Sequence, residues 1–354
     1  MFRNYKFDPN DPSGKCSFDI NDVDVSIVNG IRRTILTDIP IPGIVGEKDT
    51  TVEIITNTGG LHNEIIAHRI GLLPICLTEQ ETENYEDNSI EIELNVTNDG
   101  IALVNVDTGS ITGTFNGKKL TQQQLAIMFP KNPVTNSHIL ITRLKATEQL
   151  HFKAKVVKKT ARYNSAFSPV SLSNFYYIQD DSLVTKDMNV LDKERAYIAN
   201  KYGEATSIKF EIESINQNLG AKYLFSKAID IIIEKLVMLS RNLNSDNDTV
   251  TVSQYEDLPN TYQFVINDED DTIGNILQSI IHNKYIRQNM KMDNVSCSYV
   301  GYLCPHPLKT ELLIRITLVD QDNVNKFVEF LDKNCKVIID DLNNIKNEWQ
   351  SFAK

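Results

Sequence analysis

The chain has 354 residues, 41% of them hydrophobic, with 47 acidic against 36 basic side chains and a net charge of −11. That length supports two or three domains with cores of their own, and the acidic balance excludes a free-standing nucleic-acid binder, whose affinity comes mostly from neutralised phosphates. No apolar run approaches the ~20 residues of a membrane-spanning helix, and the first residues lack a signal-peptide apolar stretch. The five cysteines (Cys16, Cys76, Cys297, Cys304, Cys335) are dispersed without a C-x-x-C pair, which points to reduced thiols in a cytosolic or nuclear protein.

Residues 15–20 predict a short strand that feeds an amphipathic helix over 21–38, stopped by Pro40 and Pro42. Asn21 and Asp22 are placed to cap this helix, with Asp24 in its first turn and Arg32 and Arg33 nearer its end. That is the charge order a helix dipole favours. Val28, Ile31 and Ile35 form an apolar stripe, flanked by Ile27 and Leu36. Gly30 interrupts it at a cost of about 0.5–1 kcal/mol against alanine. Close approach of another backbone is the usual compensation.

A strand over 50–60 then leads into a short helix over 61–75, closed by Gly71 and Pro74. His62, Glu64 and His68 lie here and, with Cys76, give an enzymatic reading its only material. The two histidines are six apart, roughly 240° around a helix, so they do not share a face as metal ligands would. Glu64 and His68, four apart, are spaced to pair. The acidic run over 79–93 reads as a solvated loop passing into an alternating strand. Residues 139–145 and 150–163 predict a hairpin whose second strand gathers Lys153, Lys155, Lys158, Lys159 and Arg162. This is a charged exposed face or an electrostatic contact with a larger partner. Residues 173–203 show no clear period, whereas 207–215 alternate as a strand. A long helix follows over 217–241, apolar on more than one face at Leu224, Ala228, Ile231, Ile232 and Leu236, and such a helix should be buried or gripped.

Residues 242–260 have the polar composition of a linker. Beyond them come a strand over 261–267, a helix over 271–285, a strand over 311–319 and a closing helix over 323–349. The closing helix carries a seam at Val324, Phe327, Leu331, Cys335, Ile338, Leu342, Ile345 and Trp349, with the spacing of packed helices. Sliding the first helix by 245 positions sets Val28 on Ile273, Ile31 on Ile276, Thr34 on Ser279, Ile35 on Ile280 and Leu36 on Ile281. Gly30 meets Asn275, with Gly274 one place earlier. The arginines are not copied, because Leu277 and Gln278 replace them. Both halves therefore share one order of elements, and the first carries a large insertion.

At this point the residues show a family resemblance. NGIRRTILTDIP followed by VEIITNTGGLHNEIIAHRIGLLPI resembles the N-terminal signature of alpha-type RNA polymerase subunits: bacterial alpha, the archaeal D subunit and the third-largest subunit of eukaryotic RNA polymerase II. FVINDEDDTIGNILQSII with YVGYLCPHPLKTELLIRI resembles the small partner of that pair, the archaeal L type. Thr272, Gly274, Asn275, Leu277, Gly301, Tyr302, Pro305, His306 and Pro307 occupy its characteristic places. In this order the two look like a fusion of both alpha-like subunits. With an asparagine-rich composition of the kind an AT-rich genome gives, such a fusion suggests a large DNA virus of eukaryotes.

The resemblance implies an α+β fold. Two alpha-type dimerisation folds, 1–40 with 146–241 and 261–354, would form an intramolecular pseudo-dimer, with a β-rich insertion domain at 41–145 and a linker at 242–260. Val28, Ile31, Ile35 and Ile231 would pack against Ile276, Ile280, Leu331, Ile338 and Leu342. A flexible linker would hold the partners at an effective concentration of order mM, so no homodimer is expected. The implied function is a non-catalytic assembly platform of a DNA-directed RNA polymerase. Arg32, Arg33, Glu64, His68 and Arg69 would dock the two large catalytic subunits; other small subunits are further partners, and DNA and RNA are reached only through the complex. The family's metal-binding cysteines have no counterpart between 50 and 145 beyond Cys76, so neither metal nor cofactor is expected. The location implied is a cytoplasmic viral factory or the virion, or the nucleus for a cellular protein. A protein-interaction adaptor unrelated to transcription is the alternative that composition leaves open.

Overall fold

The structure, a computed structural model, describes residues 1–8, 14–185, 187–245, 248–306 and 308–353; Pro307 lies outside them. The chain opens with β1 (Phe2–Phe7), β2 (Lys15–Asn21) and α1 (Val25–Thr37). Asp24, not Asn21 or Asp22, is the helix cap: its carboxylate accepts the Ser26 amide at 2.8 Å. Asn21 is still paired in β2, and Asp22 takes a left-handed turn with φ 59°. That turn is what sets the helix axis off from the strand.

The insertion comprises β3 (Ile41–Gly43), β4 (Val52–Asn57), α2 (Asn63–Gly71), α3 (Glu79–Glu83) and β5 (Ile90–Thr97). It continues through β6 (Val104–Asp107), β7 (Thr112–Phe115), β8 (Lys118–Lys119), α4 (Gln122–Met128), β9 (Leu140–Leu144), β10 (Gln149–Lys155) and β11 (Val157–Lys159). It thus runs past the boundary expected at 145, because Leu150, Phe152, Ala154 and Val156 pack into the insertion's core. Five strands form a sheet in the order β4-β10-β5-β7-β8, while β6 pairs with β9 and β3 with β11. The expected hairpin of 139–145 with 150–163 does not form, because β10 lies between β4 and β5 instead. Its alternation explains the placement. Leu150, Phe152 and Ala154 are buried beside Ile92 and Leu94, and Lys153 projects from the other face next to Glu93. These residues belong to a core of their own that also takes in Ile44, Ile70 and Val156.

The acidic run is not a free loop. Thr78 and Glu81 form a reciprocal capping box that starts α3, and Glu83 accepts bonds from Tyr223 at 2.7 Å and Lys227 at 2.8 Å. Both partners sit on the long helix, α6. The chain reaches it through β12 (Val170–Tyr177), α5 (Val190–Arg195) and β13 (Ser207–Ser214), and α6 spans Ala221–Leu243.

The second half contains β14 (Val250–Gln254), β15 (Thr261–Asn267), α7 (Asp271–Ile281), β16 (Cys297–Leu303), β17 (Glu311–Leu318) and α8 (Val324–Phe352). One π-helical turn, His282–Arg287, prolongs α7. The stretch expected as a linker thus holds a strand, with Val250 opposite Ile266 and Gln254 opposite Tyr262. Once β14 is included, the two halves match element for element. The sheet order β1-β2-β13-β12 repeats as β14-β15-β17-β16, all antiparallel, and α1 and α6 correspond to α7 and α8. The architecture is α+β, one unit written twice. Their helices meet in a single core that joins Phe18 and Phe225 of the first unit to Ile276, Leu331 and Trp349 of the second.

Candidate functional site

The junction of the two units is where the sequence signals converge. Helices α1 and α7 cross at Gly30. A Cβ there would lie 2.7 Å from Ile276 Cδ1 and 3.6 Å from Thr272 Cγ2, so the missing side chain makes room for the facing helix. Gly274 serves a different contact, since a Cβ at that position would meet Tyr302 and Leu312 of its own sheet at 2.6 Å. The two glycines, one place out of register in the repeat, therefore let α7 approach two different surfaces. Val28, Ile31, Ile35, Ile276 and Ile280 are all buried around this crossing.

The helices run in opposite senses, and each N-cap is bonded by the other helix. Asp24 caps α1 and accepts Ser279 Oγ at 3.0 Å and Asn283 Nδ2 at 2.9 Å, both from the far end of α7. Asp270 caps α7, accepting the Thr272 amide at 2.8 Å, and lies 3.8 Å from Arg33 Nη2 on α1. Arg33 also donates to Thr272 Oγ1 at 3.0 Å.

Arg162, from the segment after β11, completes the Asp270 end. Its guanidinium reaches Asp38, just past α1, with Nε at 2.5 Å and Nη2 at 3.0 Å, and Nη2 reaches Asp270 at 2.7 Å. Lys235 of α6 sits 3.3 Å from Asp38 and 3.4 Å from Glu269. Burial pushes both aspartates up, but charge and hydrogen bonds outweigh it. Arg162, Thr37 and Lys235 hold Asp38 below the usual carboxylate range, while the Thr272 amide and Arg162 bring Asp270 to about 2. Glu269 is raised, because burial there exceeds the pull of Lys235. The network is thus ionised at its aspartates and ties four segments, α1, α6, α7 and the stretch after β11, into one charge cluster. Sequence reasoning left Arg162 among surface cations. Its partners are 124 and 108 residues away, so no local pattern marks it.

The second helix pair lies alongside. α6 and α8 also run in opposite senses, with Lys346 Nζ on Asp230 at 2.5 Å and Ser240 bonded to Asp332. Leu331, Ile338 and Leu342 are buried in this pairing, and Ile231 is partly buried against the same core. α8 reaches beyond it in both directions. Phe327 packs 4.5 Å from Tyr262 in the second sheet, whereas Trp349 is fully buried 4.4 Å from Phe18 of the first sheet and 4.7 Å from Phe225 of α6. Its indole donates to the Lys222 carbonyl at 3.1 Å.

The residues expected at a docking face are distributed over two places. Arg32 and Arg33 lie on α1, but Arg33 is engaged inside the chain. Arg32 is half-buried, donates to Asn29 at 3.0 Å and has no carboxylate within 4 Å among the described residues. Burial, and then the charge of Arg33, lower its pKa. Glu64, His68 and Arg69 sit on α2 in the insertion, and no hydrogen bond or ion pair joins them to the arginine pair among the described residues. His68 is bonded to Glu47 rather than to Glu64, and Arg69 donates to the Leu140 carbonyl at 2.9 Å. The outer face of α2 exposes Ile65 and Leu72 on either side of these two. Lys158 is turned inward to the Glu83 carbonyl at 2.9 Å, and Cys76 is buried, with its thiol pushed up to about 11.

Comparison with known proteins agrees with this geometry. Two family models, each of an RNA polymerase Rpb3/Rpb11 dimerisation domain, match the chain, one over residues 17–236 and the other over 261–348. A conjugation stage-specific protein of Tetrahymena thermophila is 24% identical over 51% of this chain and 61% of its own length. The DNA-directed RNA polymerases I and III subunit RPAC1 of Homo sapiens is 26% identical over 47% of the chain and 52% of that protein. Subunit 3 of the DNA-directed RNA polymerases II, IV and V of Arabidopsis thaliana is 24% identical over 48% and 56% respectively. The chain thus spans between about half and three-fifths of these relatives. It belongs to the Rpb3/Rpb11 dimerisation-domain family and carries two such domains.

Proposed function

We propose that this protein is a non-catalytic assembly platform of a multisubunit DNA-directed RNA polymerase, with both alpha-like partners in one polypeptide. The observation that carries this reading is the junction itself. Two units of one topology meet through paired helices, with each cap bonded from the opposite helix and Trp349 of one unit buried in the other. A dimer interface closed within one chain leaves the outer surfaces for other partners. The relatives named for polymerase subunits support the assignment to transcription.

The two large catalytic subunits are the partners proposed for the outer faces, together with other small subunits. Arg32, with no carboxylate within 4 Å among the described residues, and the Ile65–His68–Arg69–Leu72 face of α2 are the groups offered to them; Glu64 is exposed beside that face. The asparagine-rich composition and the fusion of two subunits support a large DNA virus as the source, and hence a viral factory or virion as the site of action.

The test is co-purification. The tagged protein from its native source should travel with two very large chains and with RNA-synthesising activity. Recovery of the protein alone, or with partners that lack that activity, would reject the assignment.

A further inference from the structure

The two ends of the α1–α7 crossing are filled differently. At one end a guanidinium, that of Arg162, is seated between Asp38 and the cap Asp270. At the other end the cap Asp24 is met only by neutral donors, from Ser26, Ser279 and Asn283, and no lysine or arginine nitrogen lies within 4 Å of it among the described residues. Asp24 opens instead into a cleft of about 1420 Å³ between the two units.

The chemistry of the wall is specific. Asp22 has no lysine or arginine nitrogen within 4 Å among the described residues, whereas the other charges of the wall are paired: Lys284 with Asp341 at 3.2 Å, the Met1 amino group with Glu348 at 3.5 Å, and Glu204 with Arg287. The cleft thus keeps an uncompensated negative charge. Asn275, Asn344 and Asn347 line it with side-chain amides that make no hydrogen bond among the described residues. Tyr177 and Tyr197, 4.8 Å apart, stand on one side. Small-molecule pockets are mostly apolar and of about 300–1,000 Å³; this one is larger, with polar and apolar walls in about equal measure. Free amides, each both donor and acceptor, suit a peptide main chain. A cleft whose wall holds both carboxylates and aromatic rings suits a guanidinium, which pairs with the former and stacks on the latter.

We propose that this cleft docks an extended, arginine-bearing segment of another polypeptide. That segment would supply at the Asp24 end the charge that Arg162 supplies at the Asp270 end. The proposal stands apart from the polymerase assignment, since it rests on the cleft and not on any large subunit.

The full chain titrated against a fluorescein-labelled (Gly-Arg)4 peptide, followed by anisotropy, tests it. The arginine peptide should bind at least tenfold tighter than (Gly-Lys)4, and (Gly-Glu)4 should not bind. Combining Asp22→Asn, Asn344→Ala and Asn347→Ala should weaken binding at least tenfold. Glu86→Gln with Glu256→Gln, which removes more charge from surfaces outside the cleft, should leave it unchanged. Hydrogen exchange on the unmodified chain should show the peptide protecting 22–29, 275–288 and 341–348, a readout independent of whether any variant folds. Equal weakening by both sets of substitutions, equal binding of the glutamate peptide, or protection elsewhere would overturn the proposal. So would sedimentation of the peptide-free chain as a dimer with these same residues protected, which would assign the cleft to a second copy.

Discussion

Asp24 and Asp270 cap the two helices of one antiparallel pair, and each carboxylate is bonded by side chains of the opposite helix. Separating the pair therefore breaks the cross-helix contacts of both caps, although each cap keeps the amide of its own helix, Ser26 or Thr272. Asp270 carries the heavier load because its end also holds Arg162. Losing an N-cap costs about 1 kcal/mol, and the lost ion pair with Arg162 adds to that, discounted for screening because the guanidinium side chain is 44% exposed. Asp270→Ala should lower the stability of the full chain by about 2–3 kcal/mol in urea unfolding, more than Asn283→Ala at the other end, which leaves the Asp24 cap in place.

Acid stability follows from the same residue. Asp270 titrates at about 2 when folded, against about 3.9 in an unfolded chain. Between those values the unfolded state binds the extra proton, so this stabilisation is present above pH ~4 and is lost as pH falls toward 2. Asp38, also lowered, acts in the same direction, whereas Glu269, raised by burial, opposes it at higher pH. Asp270→Asn keeps a capping side chain but removes the charge. It should cost on the order of 1–2 kcal/mol at pH 7 and flatten the acid limb of a stability–pH curve, leaving variant and parent nearly equal at pH 2.

The Gly30 contact is open to a double-mutant cycle. Gly30→Ala gains helix propensity of about 0.5–1 kcal/mol, set against displacement of Ile276 Cδ1, 2.7 Å from the new methyl. Ile276→Val deletes that atom at a cost of about 0.5–1.5 kcal/mol. The two changes together should be more stable than their sum predicts, by about 0.5 kcal/mol or more. Strict additivity would mean that the helices do not meet at this point. Gly30→Val should destabilise by about 1–3 kcal/mol through overpacking.

Trp349 is the sole tryptophan, so its fluorescence reports the seat of α8 in the first unit's core. Trp349→Ala should cost about 3–5 kcal/mol. In the parent protein, tryptophan emission and far-ultraviolet circular dichroism should change together on urea unfolding, because one core runs through both units. Two separate transitions would show that the units hold their folds independently.

Arg33 and Arg32 should separate by role. Arg33→Ala loses the Thr272 and Asp270 contacts and should lower stability by about 1 kcal/mol. Arg32→Ala should leave urea unfolding within about 0.5 kcal/mol yet reduce co-purification of the large chains. Unchanged recovery with the Arg32 variant would remove that residue from the docking face.

Much of the junction was legible because it is periodic. The spacing of Val28, Ile31 and Ile35, its copy at Ile276 and Ile280, and the seam from Phe327 to Trp349 all follow from one buried face of a helix, which sequence reports directly. Gly30 was legible as an unfavourable residue that something must offset. The β14 strand was missed although Val250 and Val252 alternate with polar residues, because the polar composition around it outweighed five residues of pattern. The place of β10 between two strands and the seat of Arg162 between two aspartates were not legible. Both depend on pairing across long stretches of chain, which no window of sequence contains. The Asp24 cap was displaced by two residues because a left-handed turn at Asp22 is set by the backbone and not by any hydrophobic period.

The burial of Trp349 against Phe18 also bears on biosynthesis. Translation delivers Phe18 more than 300 residues before Trp349, so the first unit leaves the ribosome with a hole in its core where the indole will sit. Until α8 emerges, that cavity and the exposed faces of α1 and α6 are sticky surfaces of the kind chaperones hold. Completion of the N-terminal fold is therefore scheduled by the C-terminal helix. A ribosome stalled before residue 324 should present a nascent chain that proteases cut within the first unit, while one released after residue 353 should not.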